Sequence, residues 1–138
     1  MRQVCHTLTV TTRRGLTEIT EAVREQVSKA RVREGLCTVF IRHTSASLVI
    51  QENADPAVRR DLEAFLDRLA PDGDPLFTHV CEGEDDMPAH VKAALTRTSE
   101  QIPVSDSRLT LGTWQGLYVW EHRSGRHRRE VVVHVFGE

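Results

Sequence analysis

The sequence predicts an α+β fold in which a mixed or antiparallel sheet carries helices packed on one face. Three observations predict this class: the chain opens with a strand pattern, its helical patterns do not alternate regularly with strands, and its C-terminal half is rich in β-branched strand patterns. With 138 residues, the chain is long enough for one self-supporting core and too short for two. We therefore expect a single compact domain over 1–138.

The chain begins with a predicted strand and a predicted helix. Apolar and hydroxyl-bearing side chains alternate from Val4 to Thr11, a period of two that is typical of a half-buried strand. After Gly15 the pattern becomes that of an amphipathic helix, which Gly35 ends. The apolar face of this helix comprises Ile19, Val23, Val27 and Ala30.

Two strands and a second helix follow. The apolar runs Leu36–Ile41 and Ser47–Glu52 have the length and the branched residues of strands rather than of helices. A turn over 42–46 joins them. Asp55 can cap the next helix and Pro56 can occupy its first position, and a segment rich in Pro and Gly ends it.

The C-terminal half starts with a long polar loop that extends to Asp86. A short helix is predicted over Pro88–Arg97 with Asp86 as its cap, which places His90 in the first turn. Strand patterns fill the rest of the chain, and Ser124–Gly125 predicts a tight turn between the last two strands. These strands are predicted at 102–105, 108–112, 116–123 and 128–136.

Composition argues against several classes of partner. Lys and Arg number 18 against 20 Asp and Glu, a formal net charge of -2, so the chain has no general attraction for nucleic acid or an anionic bilayer. No stretch approaches the roughly 20 apolar residues that span a membrane. Three widely spaced cysteines without a CxxC pair favour a reducing compartment. We expect a cytoplasmic protein with neither nucleic acid nor membrane as partner.

Three histidines from separate segments, His43, His79 and His90, are the candidate metal ligands and proton-transfer groups. Imidazole titrates near neutrality and, as a neutral ring, is the commonest protein ligand for zinc-like ions. Two of them flank an acidic cluster whose mutual repulsion a cation would relieve. The cluster is Glu82, Glu84, Asp85 and Asp86. The alternative is a solvated loop whose acids stabilise a helix N-terminus, and the two interpretations carry equal weight because the spacing matches no short metal motif.

Other polar residues are candidates for contact with a substrate. Thr44 and Ser45 offer hydroxyls and turn amides that can bind an oxyanion. Trp114 and Gln115 lie between two glycines, where they can form a stacking wall or, alternatively, a β-bulge with the indole in the core. Because Glu121 and its neighbour in the strand face opposite sides, only one of them joins a given pocket, and Glu121 is favoured.

Long blocks of the sequence together resemble one family. They are HTSASLVIQENADPAVRRDLEAFL at 43–66, HVCEGEDDMPAHVKAAL at 79–95, IPVSDSRLTLGTWQGLYVWEHR at 102–123 and the terminal GE. These blocks are similar to the YjbQ-like family, also called the secondary thiamine-phosphate synthase family. The resemblance spans nearly the whole chain and implies a compact α+β protein, commonly a homotrimer, with pockets near the subunit boundaries.

The resemblance also implies which residues form the site. As metal ligands it implies His43, His79 and His90. As catalytic residues we expect His43, Asp85, Asp86, His90 and Glu121. As substrate-binding residues we expect Thr44, Ser45, Asn53, Asp55, Trp114 and Gln115. The chain departs from the family pattern at Arg97, where a glycine is usual, and at 80–82, and neither departure touches the expected pocket.

Three functions remain open for this site. The family name implies a transferase that joins an aminopyrimidine pyrophosphate to a thiazole phosphate, in which zinc or magnesium stabilises the departing pyrophosphate. A histidine-bound zinc ion with an open position would instead favour hydrolysis of a phosphate or an amide. The third is a trimer that binds an anion or metabolite without turnover. We expect a small, phosphate-bearing molecule as the ligand.

Overall fold

A computed structural model describes residues 1–138. Its strands form one six-stranded antiparallel sheet, which confirms the predicted α+β class. The strands are β1 (Arg2–Glu18), β2 (Gly35–Ile41), β3 (Ala46–Glu52), β4 (Ser99–Ser105), β5 (Arg108–Leu109) and β6 (Gln115–Gly137). The helices are α1 (Thr20–Ala30), α2 (Pro56–Leu69) and α3 (Asp86–Leu95).

The core lies between one face of the sheet and α1. It is a cluster of 18 buried residues, and it includes Val23 and Val27 of α1 together with alternate residues of β6 such as Val131 and Val133. The four residues of the helical face expected from the sequence are all members. Alternation of side chains along the strands places one face of the sheet against α1. On the opposite face, α2 and α3 cover the N-terminal part of β6, where Tyr118, Trp120 and His122 are buried, so helices lie on both faces of the sheet.

The central strand of the sheet is β6. Its N-terminal part pairs with β3, where Ala46 lies opposite Glu121 and Glu52 lies opposite Gln115. Its C-terminal part pairs with β2, and β1 runs along its other edge for nearly the full length. This arrangement brings residues from both ends of the chain next to the turn that joins β2 to β3.

The tight turn predicted at Ser124–Gly125 is wrong, because the chain does not reverse there. Gly15 of β1 pairs with Glu121, whereas Arg13 pairs with Arg126, so the segment His122–Gly125 lies opposite a single β1 residue. The turn-forming residues therefore make a wide bulge within one continuous strand. A bulge of this kind bends the strand and redirects its side chains.

Two helix starts can be compared with their expected positions. Asp55 caps α2 as predicted, since its Oδ1 accepts a hydrogen bond of 2.9 Å from the N–H of Ala57. In contrast, α3 begins two residues earlier than predicted, at Asp86 itself, with Asp85 at the N-cap position. His90 therefore lies one turn after Asp86, on the same face of the helix.

The outer face of the sheet exposes large apolar side chains. Phe40 of β2 and Phe136 of β6 are 45% and 43% exposed, and Val132 lies opposite Phe40 in the register. Each is out of phase with the core-facing residues of its strand. No helix has the length and apolar character needed to cross a membrane.

Candidate functional site

Asp86 and His90, four residues apart on α3, meet His79 from the preceding loop. The Oδ2 of Asp86 lies 2.7 Å from the Nε2 of His79 and 3.1 Å from the Nε2 of His90. The ligand-type atoms of the three residues all lie within 4.8 Å of one another. The start of α3 at Asp86 produces this convergence, because side chains at i and i+4 share a helix face.

Asp86 is a buried carboxylate, 2% exposed. Burial acts to raise its pKa, but the hydrogen bond from His79 and the charges of His90 and Arg123 outweigh burial and hold the pKa below its usual value. The group is therefore ionised at neutral pH. A buried carboxylate in this state requires cationic or hydrogen-bonding partners on both oxygens.

The hydrogen-bonding pattern of His90 requires a cation at its Nε2. Its Nδ1 lies 2.9 Å from the carbonyl oxygen of Thr44, which only accepts, so Nδ1 carries a hydrogen. In the neutral ring Nε2 then has a lone pair, yet it faces the ionised Oδ2 of Asp86. The contact is stable with either a second proton or a metal ion between the two atoms. A metal-ligating histidine characteristically donates its other N–H to such a carbonyl.

Asp85 lies outside this group and instead holds the β6 bulge. Its Oδ2 accepts hydrogen bonds from the N–H of Ser124 at 2.9 Å and from the Nε of Arg123 at 3.2 Å. Burial acts to raise the pKa of Asp85, but these hydrogen bonds lower it to about 2. These contacts give Asp85 the role of positioning Arg123.

His43 is not a member of the group in which the ligand-type atoms of His79, Asp86 and His90 converge. Its Nε2 accepts a hydrogen bond of 2.8 Å from the N–H of Glu130. Burial, together with the charge of Arg129, lowers its pKa. The lone pair on Nε2 of His43 is therefore engaged by the backbone, and the third residue beside His79 and His90 is Asp86.

Glu121 is buried in a network of its own. Its Oε1 accepts hydrogen bonds from the hydroxyl of Thr12 at 2.6 Å and from the Nε of Arg129 at 2.7 Å. Burial acts to raise the pKa of Glu121, and these partners lower it. Arg129 also donates to the hydroxyl of Ser45 at 3.0 Å. Glu121 and Ser45 are thus joined by one guanidinium on the floor of the β2–β3 turn.

The remaining expected substrate-binding residues lie at the opposite end of β3. The N–H of Asn53 donates to the carbonyl oxygen of Trp114 at 3.0 Å, and Trp114 is 62% exposed rather than in the core. The Oε1 of Gln115 accepts from the N–H of Gly112 at 2.8 Å. Glu52, at this end of β3, is six residues further along the strand than Ala46, a distance of about 20 Å. The structure therefore separates these residues, and Asp55 beside them, from the His79, Asp86 and His90 group.

A cleft of about 350 Å³ opens beside His79. Phe77, Met87 and Pro88 form apolar parts of its wall, and Glu84 contributes a carboxylate. The cleft is large enough for a small organic molecule. A bound molecule in this position would contact the His79 side of the His79, Asp86 and His90 group.

Two arginines of the site were not expected from the sequence. Arg123 contacts Asp86, with its Nε 3.3 Å from Oδ1, and Arg129 neutralises Glu121. Both belong to the basic run RSGRHRR at 123–129. A signal for Arg129 is present in the period of two, because this residue is in phase with the buried Val131 and Val133. For Arg123 no comparable signal exists, since its position depends on the bulge.

Known proteins match this chain over most of its length. A family model described as UPF0047 protein YjbQ-like matches residues 6–138. A UPF0047 protein of Synechocystis sp. is 57% identical over 116 residues, which cover 84% of this chain and 79% of the relative. The UPF0047 protein YjbQ of Escherichia coli O157:H7 is 40% identical over 134 residues, 96% of each chain.

The solved structures of similar proteins share the whole fold. A structure from Clostridium acetobutylicum, described as an uncharacterized conserved protein of the yjbq/upf0047 family, superposes with a TM-score of 0.84 at 38% identity. The match covers 96% of this chain and 99% of that one. The names of these three proteins state a family and no reaction.

Proposed function

Since the chain belongs to the YjbQ-like UPF0047 family, whose relatives above are named without a reaction, we propose from its own site that it is a metal-dependent hydrolase of a small phosphate ester or amide. The observation that carries this proposal is the convergence of His79, Asp86 and His90, with Oδ2 of Asp86 facing both Nε2 atoms. Two imidazoles and one carboxylate make a three-ligand set of the kind found in catalytic zinc sites.

The donor atoms favour a transition-type ion over magnesium. Magnesium prefers an octahedral shell of oxygen atoms, whereas imidazole nitrogen suits zinc and its neighbours. When bound, such an ion supplies Lewis-acid polarisation of a phosphoryl or carbonyl oxygen and activation of water. The protein contributes the orientation of its ligands: Thr44 fixes the ring of His90, and Arg123 occupies the second oxygen of Asp86.

The cleft beside His79 suits the organic part of a substrate. Phe77, Met87 and Pro88 give it an apolar wall, which would exclude water from a bound molecule and place the polar, scissile end toward the histidines. The carboxylate of Glu84 in the same wall would repel any further negatively charged group on the substrate. A neutral or amine-bearing organic group joined to a single phosphate or amide therefore fits better than a polyanion.

Metal content and turnover of one variant pair test the proposal. Asp86→Asn keeps the size of the side chain and removes its charge, and Asp61→Asn on the exposed surface of α2 is the matched control. We expect the control to bind one Zn²⁺ per chain and to release phosphate or amine from a panel of small esters and amides. Asp86→Asn should lose at least tenfold in metal affinity and all turnover. Equal zinc affinity in the two variants would refute the metal site.

The alternative name of the family, secondary thiamine-phosphate synthase, favours a second candidate function. In that transferase reaction the bond between the pyrimidine methylene carbon and the pyrophosphate oxygen breaks, and a bond from the same carbon to the thiazole nitrogen forms. Incubation of metal-loaded protein with both substrates distinguishes the candidates. Formation of thiamine phosphate and pyrophosphate supports the transferase, and free phosphate supports the hydrolase. A thermal shift with substrate but without either product would identify a binding protein.

We also propose a homotrimer in the cytoplasm. The exposed apolar side chains on the outer face of the sheet, among them Phe40 and Phe136, favour burial against other copies of the chain. Cys5, Cys37 and Cys81 are all unpaired, which suits a reducing compartment. Sedimentation velocity on the purified protein tests the assembly.

A further inference from the structure

A second cavity, of about 180 Å³, lies between β1, α2, α3 and the start of the β6 bulge. Lys92, His122, Glu63 and Trp120 line it. Its volume is below the roughly 300–1,000 Å³ of cavities that bind drug-sized ligands. It therefore has room for a molecule of a few non-hydrogen atoms and none for a nucleotide.

Lys92 brings an incompletely satisfied ammonium group to this cavity. The side chain is 2% exposed, and its Nζ has one protein partner, the Oδ1 of Asp67 at 2.7 Å. An ammonium group has three N–H donors, so two remain without a protein acceptor. A buried ammonium in this state favours an occupant that supplies acceptor atoms.

His122 contributes a third open donor. The residue is 1% exposed, and its Nε2 lies 2.8 Å from the hydroxyl of Ser47. That hydroxyl is fully buried and has no other partner, so it donates to Nε2, and the neutral ring carries its hydrogen on Nδ1. Nδ1 has no protein partner, yet no buried side-chain nitrogen is left unsatisfied and sealed off. Nδ1–H therefore reaches open space, which is the cavity that His122 lines.

Glu63 supplies the opposite chemistry. Its Oε1 accepts a hydrogen bond of 2.9 Å from the N–H of Leu16, which leaves Oε2 free to accept. Gly15, with φ of +112°, lets this carboxylate lie against the β1 backbone, because a Cβ at that position would approach Oε1 to 2.6 Å. The other charges around the cavity are paired: Lys92 with Asp67, Arg14 with Asp72, and Glu121 with Arg129. Glu63 is the one lining charge without an ionic partner.

We propose that this cavity binds a small zwitterion of the amino-acid class, with its carboxylate held by Lys92 and His122 and its ammonium facing Glu63. A simple anion satisfies the three open donors and leaves Glu63 uncompensated. A simple cation satisfies Glu63 and leaves the three donors open. One molecule with both charges satisfies both sets of groups, and glycine and β-alanine have the size that the cavity allows.

Isothermal titration with four probes tests the proposal on the full chain: glycine, β-alanine, acetate and methylammonium. We expect saturable binding of glycine or β-alanine and none of the two singly charged probes. Lys92→Met and Glu63→Gln should each weaken zwitterion binding roughly tenfold or more, since each removes a charged hydrogen bond. The exposed pair Lys29→Met and Glu25→Gln on α1 provides matched controls that should bind as the unchanged chain does.

The outcomes separate this site from the metal site. His79→Ala should retain zwitterion binding even where it abolishes metal binding, so failure of the hydrolase proposal leaves this one standing. Because Glu63 is half-buried, its variant reports on the site even if the Lys92 variant is less stable. Acetate binding as tight as that of glycine, no effect of Glu63→Gln, or absence of saturable binding by every probe would each overturn the proposal.

Discussion

The guanidinium of Arg123 lies 3.3 Å from the Oδ1 of Asp86, so the two oxygens of this carboxylate have separate partners. Oδ1 faces the β6 bulge, and Oδ2 faces His79 and His90. Arg123 is held in place in turn by Asp85 and by the carbonyl oxygen of Glu82, which accepts from Nη2 at 2.8 Å. The bulge thereby determines which oxygen of Asp86 is available to a metal.

Replacement of Arg123 should weaken metal binding although this residue is not a ligand. In Arg123→Met, Asp86 loses its charged partner and gains freedom to rotate, so we expect roughly a 10- to 100-fold loss in zinc affinity. Arg123→Lys should restore part of it, since an ammonium replaces the charge without the planar geometry. Titration calorimetry provides the measurement, and Arg126→Met at the exposed end of the bulge provides the control. Equal affinity in both methionine variants would contradict the positioning role.

Most of the fold follows from local patterns in the sequence. The apolar face of α1 and the capping of α2 by Asp55 depend on neighbouring residues, and both are found. The error at Ser124–Gly125 has a non-local cause. These residues favour a turn on their own, but β1 pairs with β6 on both sides of them, and the hydrogen bonds of that long ribbon hold the chain in one strand.

The composition of the site depends on the same non-local pairings. The convergence of His79 with His90 could be suspected from the acids between them, whereas the exclusion of His43 could not. That exclusion results from the N–H of Glu130, a residue that approaches only because β6 passes beside the turn after β2. The buried Lys92 was likewise hidden, because a lysine in an amphipathic helix ordinarily faces solvent.

His122 should make the free energy of unfolding depend on pH. Burial, with the nearby charge of Lys92, lowers its pKa from 6.5 to about 3. As the pH falls below 6.5, the unfolded chain binds a proton at this ring and the folded chain does not. The free energy of unfolding therefore falls, by up to about 1.4 kcal/mol per pH unit. This fall continues until the folded ring titrates near pH 3. Above 6.5 this residue contributes no slope.

Urea unfolding between about pH 7 and pH 4 measures this dependence. His122→Gln keeps a hydrogen-bonding group beside Ser47 and does not titrate, so its stability should fall less steeply with decreasing pH. His6→Gln, at an exposed position of β1, should follow the unchanged chain. Parallel curves for the unchanged chain and the His122 variant would show that this histidine is not the source of the slope.

Asp55 should contribute to stability rather than to binding. Its side chain accepts the hydrogen bond from Ala57 that caps α2, and loss of such a cap costs about 1 kcal/mol. We therefore expect Asp55→Ala to lower the free energy of unfolding by that amount and Asp55→Ser to recover most of it. Chemical denaturation measures the change. A loss of ligand binding in Asp55→Ala at unchanged stability would instead support the substrate-binding role expected from the sequence.

The exposed apolar face of the sheet should be the surface through which copies of the chain associate. In the register, Phe40 lies opposite Val132, and Leu36 lies opposite Phe136. The pair Thr38 and His134 lies between them, so the patch consists of two apolar pairs on either side of a polar one. Such a patch favours burial against a second protein surface. Another copy of the same chain can supply this second surface.

A charge within this patch should separate the copies without unfolding them, because Phe136 does not contribute to the core. We expect sedimentation velocity to give a trimer for the unchanged chain and a monomer for Phe136→Glu. Leu76→Glu, which adds the same charge to an exposed apolar residue of the loop after α2, should remain a trimer. The far-ultraviolet circular dichroism of both variants should match that of the unchanged chain. A trimer in Phe136→Glu would show that the copies associate through another surface. The free edge of β1 is the first alternative, because its unpaired backbone groups also favour self-association.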